Sequence, residues 1–320
     1  MNPMYGGVPH HTPAYIHALI NVLYIDGSSR FVGGSQQLAD ALEKIIRTAG
    51  GEVLTRSEVC EIKVSERQVQ YVKTTDDRKY RADRYISAIH PCALLKLTDE
   101  KAFPKSYRNR LNDIPNVYSA FTVYIIFKKN KFPFINHTCY IQQDYGQVWS
   151  HGTYEGADWP RGFMFFTPAE KGQGEYATKM IINSLMSFDS VRKWENTTVG
   201  HRGADYLEWK QQHLEKVLDR MTEFYPNFRD TINVSFASSP LTIRDYYNEK
   251  EGALYGFRKD CQNMALSQVS IYTKVSNLLL TGQNINLHGI CGVPLTAINT
   301  AEAIVGENVI IDKINSAYDA

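Results

Sequence analysis

Paired cysteines are missing from this chain. Its five, at positions 60, 92, 139, 261 and 291, are odd in number, form no C-x-x-C spacing and follow no secretory apolar region. That pattern argues against a disulfide framework or a structural zinc site and makes a reducing, cytoplasmic compartment the expectation. An excess of one charge is missing too: 35 Lys and Arg against 34 Asp and Glu leave a formal +1. A general basic footprint for nucleic acid is thereby excluded, as is an acidic disordered tail. No apolar run reaches the roughly 18 residues of a membrane span; residues 14–25 come closest, interrupted by His17 and Asn21. Repeats, low-complexity tracts and a G-x-S-x-G nucleophile elbow are absent. His10 and His11 are adjacent, so on an extended segment they point apart, and no carboxylate follows at ligand spacing. No metal is expected.

What is present suits one large or two ordinary domains: 320 residues, of which 43% are apolar. Twenty Tyr and 14 Phe point to a thick core or a large apolar cavity. Ser35 is placed to cap a helix whose apolar face is Leu38, Leu42, Ile45, Ile46 and Ala49, stopped by Gly50 and Gly51. Strands are expected at residues 52–55, 59–64, 69–74, 80–84 and 85–89, most of them as a meander, with His90-Pro91 ending the last. Further on, strands at 120–127 and 162–167 and helices at 175–186 and 204–224 are expected, the longer helix packing Tyr206, Trp209, His213, Val217, Met221 and Phe224. Residues 14–25 read as core or as one wall of a greasy channel. Lys128, Lys129 and Lys131 beside Phe132 and Phe134 read as a solvated turn or a peripheral membrane contact.

Near the C-terminus a short strand at 278–280 leads into a polar, glycine-bearing loop and then a helix opened by Pro294 and closed by Gly306. Strand, glycine loop and helix start together can hold an anionic or electron-rich ligand, because the helix presents unpaired N–H groups and a partial positive charge. A packed corner explains the same residues. Residues 278–306, LLLTGQNINLHGICGVPLTAINTAEAIVG, resemble the flavin-contacting C-terminal motif of the phytoene desaturase and all-trans-retinol 13,14-reductase (retinol saturase) family of FAD-dependent oxidoreductases. The stretch from Phe31, FVGGSQQLADALEKIIRTAGGEVLTRSEVCEI, is similar to that family's second flavin motif, and SPLTIRDYYNEKEGALYG at 239–256 is a third match.

The resemblance implies FAD. It implies that Val59 offers backbone groups to the adenine, that Gly33 and Gly34 pass near the flavin, and that Gly282-Gln283 stand where a Gly-Asp pair is usual. It aims the N–H groups of Gly292 and Val293 at the ring's pyrimidine edge, and the glycines themselves, Gly289 and Gly292, leave room for a flat ring or a phosphate to approach. Gln283 is a departure, since an amide bonds a hydroxyl but adds no charge. His288, beside the expected ring, suits proton delivery or only loop closure. The family's G-x-G-x-x-G turn is missing from residues 1–60; the spacing recurs only at Gly172-x-Gly174-x-x-Ala177, read as a chance loop. This chain is therefore expected to be the C-terminal part of a longer enzyme and to bind FAD weakly or not at all alone.

The expected fold is α/β, of the two-domain flavin-oxidoreductase type with an amine-oxidase-like fold, lacking its N-terminal βαβ unit. Residues 30–95 and 241–320 would form the partial FAD-binding domain, and residues 1–29 and 96–240 a substrate domain around a mixed sheet. The expected activity is hydrogen transfer at C=C or C–C bonds of a long apolar polyene or lipid, such as a carotenoid. Two alternatives are a non-redox lipid- or protein-binding module resembling Rab GDP-dissociation inhibitors, and a catalytically silent truncated chain.

Overall fold

Alternation of side chains builds the larger sheet. The strand β5 (Ser119–Phe127) sends Phe121, Val123, Ile125 and Phe127 to one side, where all four are buried. It pairs with β8 (Lys179–Met186) from Ser119↔Met186 to Ile126↔Lys179 and with β9 (Ile232–Ser238) from Thr122↔Ser238 to Phe127↔Ile232. With β6 (Cys139–Gln142) and β7 (Gly162–Phe166) the order is β6-β7-β8-β5-β9. The computed structural model describes residues 2–150 and 158–318. Every pairing in this sheet is antiparallel, where a mixed sheet was expected. Its buried face packs on the helix α5 (Ala204–Phe224) through Leu214, Val217, Leu218 and Met221.

A second core surrounds the glycine loop. The strands β1 (Val59–Ser65), β2 (Gln68–Thr74) and β3 (Lys79–Tyr80) form the expected meander. The strand β4 (Tyr85–Ser87) pairs in parallel with β10 (Leu278–Leu280). The Asn277 side chain clamps the two pieces together, accepting from Val69 N–H at 2.8 Å and donating to Val69 O at 3.1 Å. The helices α3 (Pro91–Lys96) and α4 (Lys105–Asp113) fill this core with Leu94, Leu95 and Leu111, against Phe257, Leu278 and Leu280. Short helices α6 (Phe228–Thr231) and α8 (Met264–Ser267) punctuate the loops, and α7 (Pro240–Tyr247) opens with a Ser239–Thr242 capping box.

The helices α1 (Ala14–Ile25) and α2 (Gln36–Thr48) occupy the expected positions but are not core. On α1 only Ile16 is buried, and Ile25 is 81% exposed. Leu38, Leu42, Ile45 and Ile46 of α2 all face outward. Ser35 makes no side-chain cap; Gln37 Nε2 instead donates to Val32 O and Gly34 O. The last helices are α9 (Gly289–Val305), ended by Gly306, and α10 (Val309–Tyr318).

Several expectations give way to tertiary context. Residues 52–55 form no strand, and the strand expected at 80–84 shrinks to β3. The helix expected at 175–186 is the strand β8, whose Met180 and Ile182 alternate into the sheet's core before Ser184, Leu185 and Met186 are buried together. The helix placed from Pro294 starts five residues earlier, at Gly289, so Pro294 lies inside it and forgoes one helical bond. The Lys128–Lys131 region is a turn: Asn130 is left-handed, and Phe132 goes into the core, stacked on Phe127 at 4.5 Å. That removes one of the two aromatics a membrane contact would use and leaves only the half-buried Phe134. No helix among the described residues is long and apolar enough to cross a membrane.

Candidate functional site

The glycine loop, residues 281–288, leaves β10 at Thr281 and enters α9 at His288. Two ties fix its path. Buried Asn284 accepts from Phe257 N–H at 3.0 Å, and its close approach to Gly256 (φ +71°) leaves no room there for a side chain. Lys259 Nζ donates to Asn284 O at 3.0 Å and Ile285 O at 3.2 Å. Burial pushes this ammonium down to about 8. Asn284 thus serves to close the loop. The helix α9 lies close on β10 because the residues between them are small: Thr300 Oγ1 donates to Leu280 O at 3.0 Å and Thr296 Oγ1 to Gly292 O at 3.1 Å.

Gly282, Gln283, His288, Gly289, Gly292 and Val293 are brought together on this loop and helix start. Gly282 (φ +95°) packs on Ala88 O, and Gly289 (φ +79°) faces open space. Gly292 is different: a side chain there would strike Leu287 of the same loop, so the missing Cβ serves the chain's own turn. With His288 as the cap, the donors left unpaired belong to residues 288–291, one turn ahead of where the resemblance placed them at Gly292 and Val293. Gly33, Gly34 and Val59 sit on other elements, Val59 packed against the core cluster that includes Ile285 of the loop. Gly33 N–H donates to Ala169 O at 2.7 Å, Gly34 faces open space, and Val59 opens β1 opposite Thr74.

His288 stacks obliquely on Tyr255, ring centres 4.4 Å apart, and its Nε2 is buried without a partner. Burial pushes the ring down to about 4, so at neutral pH it carries no imidazolium proton. Thr281 Oγ1, at the strand's exit, is likewise buried and unpartnered.

On one side the loop borders a cleft of about 810 Å³. Its floor is the sheet face opposite α5: Thr122, Tyr124 and Asn183, with Phe236 stacked on Tyr124 at 5.1 Å. Its walls include Tyr246, Tyr247, Leu254 and Tyr255, and Gln283 and Glu249 stand where it meets the loop. Tyr246 and Tyr247 are 71% and 73% exposed, which sets aromatic rings at its mouth. On the other side a hollow of about 360 Å³ is lined by Lys259, Asn286, Thr296 and Asn299. The size and apolar lining of the cleft are those of a small-molecule site.

The sequence profile described as flavin containing amine oxidoreductase matches residues 8–305. The chain belongs to this family. It is similar to the all-trans-retinol 13,14-reductases of Homo sapiens (25% identity) and Danio rerio (22%), each over 98% of this chain and 55% of the relative. It thus spans about half the length of these curated relatives. Its fold is similar to that of an oxidoreductase from Methanosarcina mazei, with a TM-score of 0.56 at 16% identity over 85% of this chain and 55% of that one. The family expected from the glycine loop and the α/β flavin-oxidoreductase fold both stand.

Membership in the amine oxidoreductase family implies a flavin, and the residues present fit its ring end. Four free N–H groups at α9, open space at Gly289 and unpartnered polar atoms on Thr281 and His288 converge on the loop. A diphosphate cradle is not among them, because the sequence offers no G-x-G-x-x-G turn between a strand and a helix. The spacing at Gly172 runs into β8, a strand. Glu249 and the aromatic cleft were not singled out from the sequence. Glu249 lies in the charged run NEKEG inside the 239–256 match, and only the spacing of Tyr246, Tyr247 and Tyr255 could have hinted at a shared wall.

Proposed function

We propose that this chain forms the substrate-facing part of an FAD-dependent oxidoreductase that transfers hydrogen at a C=C bond of a long apolar polyene. The observation that carries the reading is the aromatic cleft of about 810 Å³ meeting the glycine loop at Gln283. The relatives' names point to saturation of a retinoid double bond, and the cleft's chemistry agrees with such a ligand.

When bound, FAD supplies the two-electron chemistry that no side chain provides. The chain's own residues do the rest. Tyr124, Phe236 and Leu254 bury the polyene and exclude water, while Tyr246 and Tyr247 admit it. The free N–H groups of residues 288–291 favour negative charge on a ring placed against them, an effect worth about 0.3–1 kcal/mol. Gln283 would hold a cofactor hydroxyl. His288, neutral at pH 7, orders the loop against Tyr255.

The test titrates the chain first with FAD, followed by flavin absorption and fluorescence, and then with all-trans-retinol, followed by tryptophan quenching. Weak but saturable FAD binding is expected, with retinol binding that Phe236→Asp weakens about tenfold or more while FAD binding is unchanged. Retinol binding with no flavin binding at any concentration would favour the non-redox lipid-binding module. Failure of both ligands sinks the reading.

A further inference from the structure

A proton must enter the product of such a reduction, and His288, neutral by burial, has no imidazolium to give it. The group placed to do so is Glu249. Asn248, left-handed at φ +53°, ends α7 and turns the chain so that Glu249 is buried where the cleft meets the glycine loop. Its Oε1 accepts from Gln283 Nε2 at 3.1 Å, while its Oε2 is buried with no hydrogen-bond partner.

The charges around it are few. From α3, His90 Nε2 stands 3.9 Å from Oε2. His90 Nδ1 accepts from Cys92 N–H at 3.1 Å, so its one proton sits on Nε2, toward Asn116 Oδ1 at 3.2 Å. Burial pushes that ring down to about 4 and the nearby Cys92 thiol up, so both are neutral at pH 7. Gln283 and Asn284, from the loop, carry no charge, and Tyr255 across the cleft is raised by burial. On Glu249's own segment, Lys250 is turned to Asn112 O at 2.8 Å and Glu251 to Arg192 at 3.3 Å. No cation pairs with Glu249 among the described residues.

Resting on the reading above, we propose that Glu249 is the proton donor to the substrate. One C–H bond forms with hydride from reduced flavin and the other with the carboxyl proton of Glu249. The π bond breaks, and the carboxylate left behind is reprotonated from solvent. Burial holds the carboxyl protonated above its usual range, against bonds from Gln283 and Asn284 that pull the other way.

The experiment pairs the wild-type chain with Glu249→Gln, which keeps the Gln283 bond and mimics the neutral acid. A folded-state pKa raised above the ordinary 4.5 means that stability is complete below that value and is lost as pH rises. Glu249→Gln is therefore expected to unfold at the same temperature as wild type at pH 4 and at a progressively higher one toward pH 7. Parallel profiles overturn the proposal. In single turnovers with reduced FAD and all-trans-retinol, Glu249→Gln is expected to slow product formation about 100-fold with unchanged retinol binding, and Glu249→Asp to restore part of the rate. A rate equal to wild type overturns it too. Absence of turnover in the wild type at every pH sinks the oxidoreductase reading instead, and the stability profiles still show whether residue 249 holds a proton.

Discussion

The helices α5 and α2 are both amphipathic, yet they end up in opposite circumstances. The apolar stripe of α5 lies on a sheet and buries Leu214, Val217, Leu218 and Met221. The stripe of α2 buries nothing, and α9 buries only Gly292, Thr296 and Thr300 while Ile290, Leu295 and Val305 face out. Periodicity tells which side of a helix is greasy; whether that side is covered depends on what else is folded against it. The sheet side of the molecule supplies its own cover. The helices α2, α9 and α10 present apolar rows that no described element covers.

That contrast can be broken most forcefully at α5. Leu214→Ala is expected to cost about 2–5 kcal/mol, read from urea unfolding by the tryptophans of that side, Trp159, Trp194 and Trp209. A cost under 1 kcal/mol would mean that the sheet–helix core is less closely packed than it looks. Acid probes the other side. His90 and His288 are pushed down to about 4 by burial, so their folded-state values lie below the ordinary 6.5. Stability is then full above pH 6.5 and is lost as pH falls toward 4, by up to about 3 kcal/mol per ring. His213 on α5 is lowered as well, so both sides weaken, with two rings against one. Hydrogen exchange should show the 281–288 amides losing protection first, and uniform protection down to pH 4 would contradict this. The smallest effect belongs to α2. Ile45, 64% exposed, replaced by Glu should alter unfolding by no more than about 0.5 kcal/mol. The same change should reduce self-association in sedimentation, and a large loss of stability would show that α2 is covered after all.

The parts of the fold governed by neighbours in sequence were legible beforehand. The helix α5 begins after Gly203 and ends at Phe224, as its spacing predicts, and the meander follows its polar breaks. The strand β8 was misread because three buried residues in a row at its end erase the alternation that marks a half-exposed strand. The glycine loop was found from its residues, but the start of α9 was not, since Pro294 looked like a first turn and is a sixth position. Glu249 was invisible for a different reason. What makes it unusual is the company of His90 and Gln283, 159 residues before it and 34 after it, which folding alone assembles.

The clamp made by Asn277 has a consequence for how the protein is born. It joins residues 208 positions apart, and β4 must wait for β10 across a similar span. On the ribosome the five-stranded sheet, complete by Ser238, can close while the residues from Asn277 onward are still in the tunnel or unmade. The meander meanwhile lacks its Asn277 clamp and β4 its partner strand, a slow, high-contact-order step during which chaperones have the most to guard.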